Sequence, residues 1–196
     1  MNGIFNTPDI KWIGAMWGIW LLYWFVSAAG VKSTKERASS AARWSYLIPT
    51  FFGVALMGRN RFSARNEWLT TNVVSLSDDT VRLAVALVTL GLGFSIWARW
   101  HLGRNWSASV TVKEDHELIR SGPYAWVRHP IYTGMLAAGI GTAIAIGELH
   151  AFIGLSIATA GFIRKLQIEE QWMREVFGDQ YTKYAAEVSA LIPYVY

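Results

Sequence analysis

Residues Trp12 to Val31 carry no charged side chain, and about twenty apolar residues in a row are enough to cross the hydrocarbon core of a bilayer. That run restricts the chain more than any other feature. In lipid a backbone must satisfy its own hydrogen bonds, so a spanning segment of this kind has to be helical. Further apolar runs follow at Trp44–Met57, Val81–Ala98, Ile131–Ile146 and Ala151–Ile163, each bounded by charged or turn-forming residues. The pattern predicts an all-α integral membrane protein of about five transmembrane helices.

Composition agrees. Charged residues make up 16% of the chain, against about 25% in an ordinary soluble domain. The 11 tryptophans fit interfacial belts. A net charge of +4 raises nucleic acid as a partner, but the Lys and Arg residues sit in short loops between apolar runs, so nucleic-acid binding is not expected. The absence of cysteine excludes disulfides, a thiolate nucleophile and Cys-ligated metal. Lys11 has no basic cluster around it and the run behind it is long enough to span, so the start of the chain is not read as a cleaved signal peptide.

Lys32, Lys35, Arg37 and Arg43 against the single acid Glu36 place the first loop in the cytoplasm and the N-terminus outside. The second run is short, with Pro49 in it, and spans only if Ala41 and Ala42 are counted. Residues 58–80 read as an external loop lying partly in the interface, ending in the N-cap Ser77-Asp78-Asp79. In the third run, Gly91 and Gly93 would let a neighbouring helix approach, and Arg82 can snorkel. Arg99, Arg104, Lys113, Arg120 and Arg128 make residues 99–130 cytoplasmic, and Ser109–Val112 alternates like a short extended segment.

The last two runs are separated by Gly147-Glu148-Leu149-His150. They suit a tight helical hairpin with Glu148 and His150 at the outer surface and Gly134, Ala138, Gly141 and Gly154 as packing faces. A single kinked helix would leave Glu148 in lipid at a cost of a few kcal/mol. Residues 164–196 are polar and amphipathic, with Phe177-Gly178 as a helix end and a further short helix over Asp179–Val188. The chain therefore divides into residues 1–98, holding three spans, and residues 99–196, holding the hairpin, a cytoplasmic site and the C-terminal amphipathic helices. The host membrane would be the inner membrane in a bacterium or the endoplasmic reticulum in a eukaryote.

The stretch His116–Gly134 concentrates His116, Arg120, Arg128 and His129 among Tyr124, Trp126 and Tyr132, with a turn at Gly122-Pro123 and a helix start at Pro130. Taken singly these residues are explicable as positive-inside anchors, belt aromatics and caps. His116 and His129 lack the spacing and a third ligand for zinc. Downstream, Arg164 and Lys165 precede Glu169-Glu170, and Lys165 and Glu169 share a helix face. The plain reading of that pair is a surface ion pair; a site on the same side of the bilayer as the hinge is the alternative.

The string Gly122-x-Tyr124-x-x-x-Arg128-His129-Pro130-x-Tyr132-x-Gly134, with His116-x-Leu118 before it and Glu169-Glu170 and Phe177-Gly178-x-x-Tyr181 after it, resembles the isoprenylcysteine carboxyl methyltransferase family over residues 94–196. The family belongs with the wider group of membrane phospholipid methyltransferases. The resemblance implies an integral-membrane enzyme using S-adenosylmethionine. It implies that His116, Glu117, Leu118 and Ile119 meet the cofactor largely through backbone groups, with Thr111 nearby. Tyr124 would line the adenosine, while Arg128, His129, Pro130, Ile131 and Tyr132 would close over it. Glu169, with Glu170, would complete the site. The family's substrate-orienting Arg, four residues before the Glu, is Lys165 here, with Arg164 beside it; an Arg fork grips a carboxylate with two hydrogen bonds, whereas Lys is a point charge. The expected catalytic residues are Arg164, Lys165 and Glu169.

A sulfonium methyl is already activated, so placement and exclusion of water are the main demands. A carboxylate acceptor is ionised at neutral pH and needs no base; an amine does. The expected acceptor is a prenylated cysteine or another lipophilic acid. Other acceptors left open are a phospholipid amine and a small thiol; outside the transferases stand a sterol-type reductase and a non-catalytic scaffold. A reductase lacks support from any glycine-rich phosphate loop near the hinge.

Overall fold

The computed structural model describes residues 8–28, 34–37, 39–58, 67–103, 106, 111–113 and 118–193. Among these residues six α-helices carry the fold: α1 (Pro8–Ser27), α2 (Ser40–Met57), α3 (Asp78–Leu102), α4 (Pro130–Ile146), α5 (Leu149–Phe177) and α6 (Asp179–Glu187). A small antiparallel ribbon joins β1 (Thr34–Arg37) to β2 (Thr111–Lys113), pairing Thr34 with Lys113 and Arg37 with Thr111. The extended segment expected at 109–112 is thus seen from Thr111 on, as half of a ribbon whose other half follows α1.

Local chemistry sets the helix ends. Ser77 caps α3 by accepting from the Thr80 amide, and Asp78 and Asp79 occupy its first turn, where they favour the positive end of the helix dipole. Pro130 begins α4, where its fixed φ and missing N–H cost nothing. Gly147 ends α4 at φ +72°, and α5 starts two residues on at Leu149. The hairpin is therefore present and the single kinked helix is not. Gly178 separates α5 from α6 at φ +52°, the predicted stop.

Three expectations are corrected. The first helix runs over Pro8–Ser27 rather than starting at Trp12, and residues 29–31 of the predicted span lie outside the described residues. The polar segment from residue 164 is no separate element: α5 continues through it for 29 residues in all, because nothing between Ile163 and Phe177 breaks the helix. His150 is not at the surface but 2% exposed, since its Nδ1 reaches the Leu56 carbonyl at 3.0 Å and its Nε2 reaches Glu148 at 3.1 Å.

Small residues bring the long helices into two close pairs. In the α3–α4 pair, a Cβ built on Gly91 would stand 2.5 Å from the Gly134 carbonyl oxygen, and one on Gly141 2.6 Å from that of Ala84. In the α2–α5 pair, a Cβ on Gly154 would stand 2.5 Å from the Gly53 carbonyl oxygen, and one on Gly161 2.9 Å from that of Tyr46. Such contacts are backbone against backbone, the close approach that small residues permit between helices in lipid. Gly93, expected to share this role, has nothing within 4 Å. Helix α1 lies against α3, pinned by Trp20 Nε1 donating to Ser95 Oγ at 2.7 Å, while Trp17 Nε1 donates to Thr142 of α4 at 3.0 Å.

The outward faces are apolar. Phe25, Phe51 and Leu90 are among the large side chains left exposed on α1, α2 and α3, and apolar exposure on this scale is rare in soluble monomers. Among the described residues two helices, α3 and α5, are long and apolar enough by themselves to cross a membrane, and α4 is an apolar helix of 17 residues.

Candidate active site

The hinge is built by tertiary contacts at the start of α4. Residues 122–125 form a 3-10 turn entered through Gly122 at φ +59°, whose α-carbon side is covered by the His101 ring. His101 Nε2 also bonds Ser121 Oγ at 2.9 Å, and its ring stacks with Tyr124 at 6.4 Å. Tyr124 is buried. Its carbonyl accepts from the Tyr184 hydroxyl at 2.6 Å, tying the turn to α6. Burial, with Glu169 nearby, pushes the Tyr124 hydroxyl well above its ordinary range, so it stays neutral. Burial likewise pushes Tyr184 up to about 12, against the opposing pull of Arg128 and Arg120.

The chain after α6 folds back along the beginning of α4. The Arg128 amide donates to Ser189 O at 2.9 Å, the His129 amide to Ala190 O at 3.0 Å, and Thr133 Oγ1 to Leu191 O at 2.7 Å. Arg128 also donates from Nη1 to the carbonyls of Ala185 and Val188 at the end of α6, where a cation complements the helix dipole.

Glu169 and Glu170 point to different neighbours because adjacent residues lie about 100° apart on a helix. Glu170 is a hub: its Oε1 accepts from Arg128 Nε at 2.9 Å, Arg128 Nη2 at 2.6 Å and His129 Nε2 at 3.2 Å, and its Oε2 from Arg174 at 3.2 Å. Burial would raise its pKa; the hydrogen bonds and charges of His129 and Arg128 outweigh that and bring it to about 2. A cavity of about 400 Å³ opens beside this network between α5 and residues 185–190; Arg128, Leu166, Glu170 and Arg174 line it, whereas Glu169 and Lys165 do not.

Glu169 faces the other way. Its Oε1 accepts from the Tyr132 hydroxyl at 2.8 Å and lies 3.7 Å from Lys165 Nζ, and its Oε2 lies 3.8 Å from His129 Nδ1. The Lys165 ammonium stands 5.5 Å from the ring centre of Tyr132 and 5.5 Å from that of Tyr46. Arg164 is exposed and outside this cluster.

The structure thus gathers Tyr124, Arg128, His129, Tyr132, Lys165, Glu169 and Glu170 around the end of α4 and the middle of α5. Pro130 and Ile131 are buried in the first turn of α4, and Leu118 and Ile119 lead into the 3-10 turn, with Ile119 against the Tyr124 cluster. Thr111 lies in β2. His116 and Glu117 lie outside the described residues. Sequence reasoning missed Tyr46 and His101: one sits on a distant helix, the other three residues past the end of an apolar run, and neither carries a local signal.

The constellation is a half-buried carboxylate held by a tyrosine and a lysine, next to aromatic rings, where the apolar part of α5 gives way to its polar part. The family model for phospholipid methyltransferases matches residues 80–180, and the chain belongs to that family. It is 24% identical over 208 residues to protein-S-isoprenylcysteine O-methyltransferase A of Arabidopsis thaliana, covering all of both chains. It is 31% identical over 116 residues to the protein-S-isoprenylcysteine O-methyltransferase of Saccharomyces cerevisiae, covering 58% of this chain and 48% of the yeast one. A solved structure of the eukaryotic intramembrane Ras methyltransferase, isoprenylcysteine carboxyl methyltransferase, superposes with a TM-score of 0.54 at 28% identity, over 79% of this chain and 50% of that one. The chain therefore spans the full length of the plant relative and about half of the yeast relative and the solved structure.

Proposed function

We propose that the protein is a multi-pass membrane methyltransferase that uses S-adenosylmethionine to esterify the carboxylate of an isoprenylcysteine or similar lipophilic acid. The observation that carries this reading is the Lys165–Glu169 pair at 3.7 Å, set under Tyr132 where the apolar part of α5 ends. A lipophilic acid lying in the bilayer would bring its carboxylate to this depth. Lys165 supplies the opposite charge, and a carboxylate already ionised at neutral pH calls for no proton acceptor.

S-adenosylmethionine supplies an electrophilic sulfonium methyl. The residues present fit it: Glu169 offers a carboxylate to the sulfonium charge, and Tyr124, Tyr132 and His129 offer ring surfaces beside it. The backbone of residues 118–119 leads into the same turn. Glu170, saturated by Arg128, His129 and Arg174, holds this wall in shape.

In this reading the bundle crosses the bilayer about five times, with the N-terminus outside and the site in the cytoplasm, following the Lys and Arg excess in the loops. Calorimetry on the purified protein in detergent should show micromolar binding of S-adenosylhomocysteine. Labelled-methyl transfer should be seen to a farnesylcysteine analogue ahead of phosphatidylethanolamine and small thiols. Failure to bind the nucleoside overturns the methyltransferase reading, and transfer only to the amine or thiol overturns the carboxylate.

A further inference from the structure

Helices α2 and α5 meet along an antiparallel seam. On α2 the seam positions are Tyr46, Thr50, Gly53 and Met57; on α5 they are Gly154, Ala158, Gly161 and Lys165. Both sets follow the three- and four-residue spacing of one helix face. The seam is tight where the residues are small: a Cβ on Gly53 would stand 2.5 Å from the Ala158 amide nitrogen, and one on Gly161 2.9 Å from the Thr50 amide nitrogen.

One turn beyond Gly161 the seam changes character. The residue on α5 becomes Lys165, and the residue opposite on α2 is Tyr46. Tyr46 is only 3% exposed, packed with Ile168 and flanked by Leu47 and Trp172, so its ring is fixed. Tyr132 comes from α4 on the other side, itself packed on Phe162 at 5.6 Å. Each ring centre lies 5.5 Å from Nζ, inside the range at which an aromatic face attracts an ammonium. The Lys165 side chain is 16% exposed, and in so dry a place ring faces hold an ammonium more strongly than they would in water.

A lysine has a flexible stem and offers a point charge, where an arginine would bring its own planar geometry. Direction has to be supplied by the surroundings, and here two rings and Glu169 supply it. Tyr46 lies outside residues 80–180, the part matched by the family model.

We propose that Tyr46 is a positioning residue of the acceptor pocket: with Tyr132 it fixes the Lys165 ammonium and thereby sets the affinity for the acceptor's carboxylate. Specificity for the acceptor is in this way shared by α2, α4 and α5, whereas the cofactor wall is made by the hinge and α5. The inference rests on the acceptor being a lipophilic carboxylate.

The test uses the full chain in detergent. Binding of a lipophilic carboxylate probe, S-farnesylthiopropionate, is followed by tryptophan fluorescence with no methyl donor present, and S-adenosylhomocysteine binding by calorimetry. Tyr46→Leu should weaken the carboxylate probe roughly tenfold while leaving the nucleoside affinity within twofold, as expected when a desolvated cation–π contact is lost. Tyr46→Phe keeps a ring and should restore most of the lost affinity. The same split should appear in turnover as a raised acceptor KM at nearly constant kcat.

Equal weakening of both ligands by Tyr46→Leu, or no weakening of the probe, overturns the role of Tyr46. So does a Tyr46→Phe variant as impaired as Tyr46→Leu, because the ring would then not be what matters. Wild-type protein that binds the probe and transfers no methyl to farnesylcysteine overturns the transfer reading alone. Wild-type protein that binds no lipophilic carboxylate overturns both.

Discussion

Arg128 Nη2 lies 2.6 Å from Glu170 Oε1, and both side chains are nearly buried, at 11% and 14% exposed. The pair joins the entry of α4 to the polar half of α5, and Arg128 carries the join on to α6. Removing one member of a buried pair leaves the other charge stranded, which costs about 3 kcal/mol. Glu170→Gln should therefore lower the melting temperature in detergent and loosen the C-terminal segment towards proteolysis.

The same pair predicts a pH dependence. Glu170 titrates at about 2 in the folded protein against 4.5 ordinarily. Its contribution is fully present above about pH 4.5 and is lost as pH falls towards 2, because the unfolded chain takes up the proton first. Melting curves from pH 7 to pH 3 should show wild type losing stability in the acid range, with a smaller loss in Glu170→Gln.

Gly134→Ala tests the α3–α4 seam. Its added methyl would stand 2.8 Å from the Ser95 amide nitrogen, backbone that cannot step aside. Overpacking of this kind costs about 1–3 kcal/mol. Gly93→Ala on α3 is the matched control, with nothing within 4 Å, and should melt no lower than wild type, because alanine is the better helix former.

Glu169→Gln separates charge from shape at the cofactor wall. S-adenosylmethionine carries a sulfonium cation and S-adenosylhomocysteine a neutral thioether, so loss of the carboxylate should weaken the first about tenfold and the second much less. Calorimetry with both ligands reads the ratio. Lys165→Met should leave both affinities near wild type and raise the acceptor KM, and Arg164→Ala, an exposed position, should change little.

Ser95→Ala removes the acceptor of the Trp20 indole, a buried 2.7 Å bond between α1 and α3. An indole N–H left unpaired costs about 1–3 kcal/mol. Trp20→Phe in the same background removes the orphaned donor and should recover part of the loss, a double-mutant cycle that reads the bond directly.

Much of this fold is legible in the sequence because its signals are local. Ser77 with Asp78 and Asp79, Pro130, Gly147 and Gly178 mark helix ends by their own conformational chemistry. The hairpin followed from the cost of placing Glu148 in lipid, and the Glu169–Lys165 face from helical spacing alone.

What could not be read depends on distant pairing. His150 reads as a surface residue because it falls in the hairpin turn between two apolar runs; the Leu56 carbonyl that receives it lies on α2. Arg99 reads as a positive-inside loop cation, yet it is buried at 3%. It donates to the Ser27 and Gly103 carbonyls at the ends of α1 and α3 and lies 4.4 Å from the Trp106 ring centre. Two helix dipoles and a ring face stand in for the carboxylate such a charge would otherwise need. The register that sets Tyr46 against Lys165 arises from glycines on two helices, and no single segment states it.

The turn between α4 and α5 is itself held. Val73 and Val74 donate their amides to Gly147 O at 2.8 and 3.1 Å, and the Leu149 amide donates to Thr71 O at 3.0 Å. These bonds stitch the connection between α2 and α3 onto the hairpin, so both helix pairs are fastened together at the end remote from Glu169. At that end the bundle behaves as a clamped beam does at its wall, with little play. Toward the site, α4 and α5 approach through Gly139 and the tip of the Leu155 side chain rather than through backbone. At the site end α4 and α5 are joined by side chains instead, the Tyr132 hydroxyl on Glu169 at 2.8 Å and Arg128 on Glu170 at 2.6 Å, so the join there is made of single bonds that single substitutions can remove.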